Sequence, residues 1–142
     1  MNILKKVIVS MGLMSVLCTI PSMAQIADRL QFEAPSAFYV GNAKMPAGSY
    51  TVSQFDLDNN LLLIEDAGGS HSAFVEYELA VSDTPHTDSD VTFNKYGKVD
   101  FLSTISVQGQ KSQIQILPSK FEQISAKTAA AEKHSLSAKR GA

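Results

Sequence analysis

Tryptophan is absent from the chain, and cysteine occurs once, at Cys18 inside the first apolar run. A lone thiol excludes an intramolecular disulfide and a thiolate metal cluster. If the segment that carries it is removed, no cysteine nucleophile is left either. Small secreted domains with weak cores usually lean on disulfides, so a domain exported without them must be held by its core alone. About 118 residues are enough to build such a core as one domain. The signatures of common catalytic and nucleotide sites are missing too: there is no G-x-S-x-G, no G-x-x-x-x-G-K and no G-x-G-x-x-G. Long apolar runs are confined to Val7–Ile20, about 14 residues where a membrane-spanning helix needs about 20.

That run has the form of an export signal. Lys5 and Lys6 precede it, and Ser22-Met23-Ala24 supplies small residues at the two positions a signal peptidase inspects, so residues 1–24 are expected to be cleaved and Gln25 to begin the mature chain. Leu17 stands before Cys18 where a lipoprotein needs a small residue, which argues against lipid attachment. The expected destination is the periplasm or the extracellular space, with no transmembrane segment in the mature chain. Losing Lys5 and Lys6 takes the formal net charge from −2 to −4. The excess of carboxylates lies ahead of residue 120, whereas Lys120, Lys127, Lys133, Lys139 and Arg140 make the last stretch basic. An acidic body argues against nucleic acid as a partner, because phosphate binding needs clustered lysine and arginine.

The chain is organised around Phe38–Val52. Pro46 presets φ for a turn, Gly48 reaches conformations that a β-carbon penalises, and Tyr50 and Val52 then alternate with Ser49, Thr51 and Ser53 as a strand does. Other runs repeat this grammar: Leu30–Ala34, Phe38–Gly41, Leu61–Ile64, His71–Val81, Val91–Tyr96, Val99–Val107 and Gln113–Leu117. They are separated by turn signals at Gly41, at Asp56–Asn60, at Gly68-Gly69, at Gly97 and at Gly109. The cleanest alternation puts Ala73, Val75, Tyr77, Leu79 and Val81 on one face and Glu76 and Glu78 on the other. The expected fold is therefore all-β, an antiparallel β-sandwich or small barrel of about eight strands. Ser119-Lys120-Phe121-Glu122 has the form of a capping box and predicts a short C-terminal helix, with Phe121, Ile124 and Thr128 on one side and Ala129–Ala131 extending it. Residues 25–119 are thus expected to form the β-domain and 120–142 a helix with a basic tail that frays from Ser135 onward.

Taken together, Phe38-x-Val40-Gly41, Met45-Pro46-Ala47-Gly48-x-Tyr50-x-Val52, Val91-x-Phe93-x-Lys95-Tyr96-Gly97 and Phe101-Leu102 resemble a family of small exported β-rich proteins of Gram-negative bacteria. The resemblance covers most of the mature chain in order. It implies no catalytic residue, cofactor or substrate. Relatives often carry a tryptophan soon after the Phe-Leu pair, where this chain has Ile105–Val107.

Four groups of residues invite a chemical reading, and each has a plainer one. Asp56-x-Asp58-x-Asn60 opens like a calcium loop, but Leu61 and Ala67 stand where glycine and a bidentate glutamate belong, so a solvated turn is the better reading. His86-Thr87-Asp88-Ser89-Asp90 lacks a spaced metal-binding partner. Glu76 and Glu78 sit at about the spacing of paired catalytic carboxylates, yet neighbouring glutamates on a wet strand face are far commoner. Ser70-His71 lacks a nucleophile elbow, and His134 lies in the basic tail. No enzyme activity, metal or cofactor is expected. The residues named with most force are structural turns: Gly41, Pro46, Gly48, Gly68, Gly69, Gly97 and Gly109. The expected function is a non-catalytic binding or structural module of the cell envelope, with an envelope protein or polysaccharide as its partner. The alternative is a carrier that holds a small apolar ligand in a barrel lined by Phe32, Phe38, Tyr50, Phe74, Phe93, Tyr96 and Phe101.

Overall fold

The computed structural model describes residues 29–140; the expected signal segment 1–24, with Cys18, lies outside them. In chain order the elements are β1 (Leu30–Ala34), β2 (Phe38–Val40), β3 (Ala43–Met45), β4 (Gly48–Asp56), β5 (Leu61–Asp66), β6 (Ser72–Val81), β7 (Asp90–Tyr96), β8 (Val99–Ser106), β9 (Ser112–Ile116), α1 (Lys120–Thr128), β10 (Ala131–Ser137) and β11 (Lys139–Arg140). Every run read as a strand forms one, and the fold is an all-β sandwich with a short helix near its C-terminus.

The strands form one hydrogen-bonded path, β10-β7-β8-β9-β6-β5-β4-β1-β11, antiparallel throughout. Two segments carry it from one layer to the other. Through Glu76, β6 pairs with β5; from Tyr77 it pairs with β9. The C-terminal segment does the same at Ala138, with β10 on β7 and β11 on β1. Strands that switch sheets in this way make the corners of a sandwich. The β2–β3 hairpin hangs from the second layer by a single parallel bridge, Tyr39 to Phe101.

Burial follows the period of two along β6 as far as Tyr77; beyond it the expected buried face ends, with Leu79 and Val81 exposed. Ala73, Val75 and Tyr77 of β6 are buried while Phe74, Glu76 and Glu78 are exposed. Between the layers Phe32, Phe38, Tyr50 and Phe93 meet ring against ring, with centroids 5.0–6.2 Å apart. Leu62, Ile64, Val91, Ile105 and Ile114 surround them.

The C-terminal region differs from expectation. Instead of a helix that frays, residues 131–137 add a strand to the β-domain, so the body does not stop at residue 119. The helix ends before Ala129, which is extended (φ −151°, ψ 150°), despite the three alanines that favour continuation. Pairing with the open edge of β7 along seven positions overrides that weak preference. His134, Leu136 and Ala138 are the less exposed positions of the new segment, alternating with exposed Lys133, Ser135 and Ser137.

Candidate binding surface

The turn residues earn their places by geometry. Gly41 begins the two-residue turn between β2 and β3 with φ +60°, and Gly97 begins the one between β7 and β8 with φ +65°; glycine at the first position suits the II′ turn that matches strand twist. Gly48, Gly69 and Gly109 also have positive φ, whereas Gly68 does not: the β5–β6 hairpin needs one such residue, not the expected pair. Around Pro46 the Tyr50 hydroxyl donates to the Pro46 carbonyl, so the strand that leaves the turn reaches back and ties its entry. Tyr50 is buried, and that burial, followed by the charge of Asp66, raises its pKa above 10.0.

Most polar groups singled out in the sequence serve turns. Asp56 Oδ1 accepts from the backbone N–H groups of Asp58 (3.0 Å) and Asn59 (3.3 Å), and Oδ2 accepts from the Asn59 amide at 2.7 Å. The Asn59 amide is the main cause of its lowered pKa. Asp66 clamps the next hairpin, accepting from Ser70 N–H at 2.8 Å and lying 3.1 Å from His71 Nδ1. Burial pushes the Asp66 pKa up, but the hydrogen bonds of His71 and Ser70 outweigh it and leave it lowered. His86 exchanges backbone bonds with Gln110 and Gly109 across the loop. Glu76 and Glu78 are both exposed but belong to different layers, on either side of the point where β6 changes partners. Among the described residues no three of His, Cys, Asp and Glu converge, and no helix is long and apolar enough to cross a membrane.

Two polar arrangements gave no sequence signal. His134 Nε2 lies 2.8 Å from Asp100 Oδ1, and its ring stacks on Phe93 at 5.2 Å, pinning β10 over the end of the core. The capping box is half made: Ser119 Oγ accepts from Glu122 N–H at 3.1 Å. The Glu122 carboxylate turns under the helix instead of back to the cap, where it accepts from Tyr96 O–H (3.1 Å) and the Asn94 amide (3.4 Å). Burial and then the Glu122 charge raise the Tyr96 pKa. Phe121 completes the dock, 4.9 Å from Tyr39 and 5.3 Å from Phe101. Of the expected apolar side of α1 only Phe121 docks, and Ile124 is 62% exposed.

The seven aromatics proposed to line one cavity fall in three places. Phe32, Phe38, Tyr50 and Phe93 fill the space between the layers; Tyr96 and Phe101 lie beneath α1; Phe74 points outward. The parity of β6 already put Phe74 on the side of Glu76 and Glu78, the signal that locates it. Its ring meets Phe55 at 4.9 Å, and the two are 57% and 61% exposed. Phe55 falls where the register of β4 against β5 shifts, between Gln54 and Asp56. Leu57 is exposed nearby, and half-buried Leu61 and Leu63 adjoin on β5. This apolar patch lies on the outer side of β4, β5 and β6. Glu65 and Glu76 lie on the outward rows of the same strands, and the chain that forms β4, β5 and β6 carries no lysine or arginine.

Two open grooves flank the C-terminal segment. One, of about 600 Å³, is lined by Asp88, Asp90, Gln108, Ser135 and Arg140; the other, of about 480 Å³, by Gln31, Glu33, Thr51, Ala67 and Lys139. Both are shallow and mixed in charge. Comparison with family models, with curated proteins and with solved structures gives no match to this chain.

Proposed function

We propose that this chain is an exported, non-catalytic β-domain that serves as a binding or structural module of the cell envelope, acting through sheet surface instead of a reactive site. The observation that carries the reading is the paired, exposed Phe55 and Phe74 on a face that also presents Glu65 and Glu76. Contiguous apolar surface rimmed by polar groups is characteristic of interaction sites. The export-type N-terminal sequence and the resemblance to small exported β-rich proteins support the envelope as its place of work. Glu76 and Glu78, the pair at catalytic spacing, fall in different layers, and Asp56 is engaged in turn geometry, which supports the non-catalytic part. The ring-against-ring interior favours surface binding over a ligand held inside.

Fractionation of cells that express the full chain tests this reading. The processed protein is expected in the envelope or periplasmic fraction, and Phe55→Ser with Phe74→Ser is expected to reduce its retention on isolated envelope without loss of fold. Accumulation of unprocessed protein in the cytoplasm, or retention indifferent to both substitutions, overturns it.

A further inference from the structure

We propose that the outer face of β4, β5 and β6 is a docking surface for α1 of a second copy of this chain, so that copies associate face to back. The inference rests on the surface-binding reading and names its partner. Both halves of the contact are present in one molecule. The first is the apolar patch of Phe55, Leu57 and Phe74, with Glu65 and Glu76 on the same outward rows of β5 and β6. The second is the solvent side of α1. Lys120, Ile124 and Lys127 recur at the i, i+4, i+7 spacing that puts them on one helix face, and all three are exposed. The one acid of that helix, Glu122, is turned under it and does not dilute the positive side.

Charge decides which surfaces can meet. Two copies apposed through their acidic faces would bring unpaired carboxylates together around the phenylalanines, and like charges across a contact suppress it. The basic, apolar helix face is the complement: Ile124 can seat against Phe55 and Phe74 while Lys120 and Lys127 reach Glu65 and Glu76. Within one molecule α1 packs on β7 and β8 of the second layer through Phe121 and Glu122, which leaves Ile124 exposed and open to a second copy. A contact between two different surfaces of identical chains is heterologous. It continues into a ring or an open filament instead of stopping at a symmetric pair.

Sedimentation of the purified protein at low ionic strength tests the inference. Association that rises with concentration and weakens with salt is expected, since the rim of the contact is ionic. Phe74→Ser at the centre should weaken it about tenfold or more, as loss of an interface aromatic does. Two charge-reversed proteins give the sharper test: Glu65→Lys with Glu76→Lys, and Lys120→Glu with Lys127→Glu. Each alone should stay monomeric. Mixed, they should associate again, because either protein then offers the charge the other lacks; circular dichroism excludes an unfolded variant.

A protein monomeric at every concentration and salt, a symmetric dimer indifferent to both reversals, or a mixture that does not associate overturns the inference. So does capture of a foreign cationic peptide in place of a second copy. If the unaltered protein stays monomeric while Phe55→Ser with Phe74→Ser still loses envelope retention, the second-copy inference fails and the envelope-module reading stands.

Discussion

Replacing Tyr50 by phenylalanine isolates the bond that ties the Pro46 turn to the strand after it. The side chain is 1% exposed and its ring packs 5.7 Å from Phe32 and 5.0 Å from Phe38, contacts that phenylalanine keeps. What disappears is the donation to the Pro46 carbonyl. Pro46 is itself exposed, so water can take over its carbonyl and the full penalty of an orphaned buried acceptor does not apply. The expected loss is therefore about 1 kcal/mol, or about 4 °C in Tm for a domain of this size. Tyr50→Ala, which also empties the ring's place, should lose about 3–5 kcal/mol.

A second signature follows from titration. Burial and the Asp66 charge raise the folded pKa of Tyr50 above its ordinary value near 10.0. The stability linked to that shift is complete below about pH 10 and is lost as pH rises through the folded value. Phenylalanine has no such group, so the gap between the two proteins should narrow in alkali. Thermal unfolding followed by circular dichroism, at neutral pH and above pH 10, reads both effects. A Tyr50→Phe protein as stable as the parent, one destabilised as severely as Tyr50→Ala, or a gap indifferent to alkali refutes the reasoning.

Glu122→Ala should cost about 1–3 kcal/mol in urea unfolding, because it leaves the Tyr96 hydroxyl under α1 without its acceptor, while the Asn94 amide keeps Ser103 Oγ. In the same variant the Tyr96 ionisation midpoint, read by tyrosinate absorbance, should fall with the loss of the carboxylate; an unmoved midpoint rejects the pairing. Asp66 has a lowered folded pKa, so the stability it contributes is present above the unfolded value of about 3.9 and is lost as pH falls through the folded one. Asp66→Asn should accordingly lower Tm at neutral pH and flatten its decline below about pH 4, and parallel curves for the two proteins contradict this. Ending the chain after Ala130 removes β10 and β11 and exposes the edge of β7 beside Phe93. The shortened protein should bind a hydrophobic dye and lose cooperative melting, and an unchanged melting curve would mean that the segment only decorates the sandwich.

Local signals located the strands because their partners are near in sequence and their burial is one-sided. The run from Ala73 to Tyr77 carries its own alternation, and Gly41 and Gly97 mark turns that only two residues can make. Strand β10 was illegible for the opposite reason. Ala131–Ser137 offers one large apolar residue, Leu136, and its pairing partner β7 lies far back in the chain. Local preference pointed to helix, and only the unfilled edge of β7 made a strand the better state. The capping box shows the same limit within one residue. Its Ser119 half depends on local spacing and forms; its Glu122 half is diverted because the hydroxyl of Tyr96, distant in sequence, sits beneath the helix.

The surface patch was half legible, and the illegible half explains why it resembles a core signal. Period-two parity puts Phe74 outside, beside Glu76, but aromatic residues in a strand are ordinarily read as filling. Phe55 joins it where the β4–β5 register shifts, at a position that no local pattern marks. An exposed phenylalanine pair on a sheet face is an aggregation hazard when it is left unguarded. Glu65 and Glu76 on the outward rows, with no lysine or arginine in β4, β5 or β6, oppose the pairing of like faces while leaving the patch open to a basic one. One charge pattern thus both protects the surface and selects what can cover it.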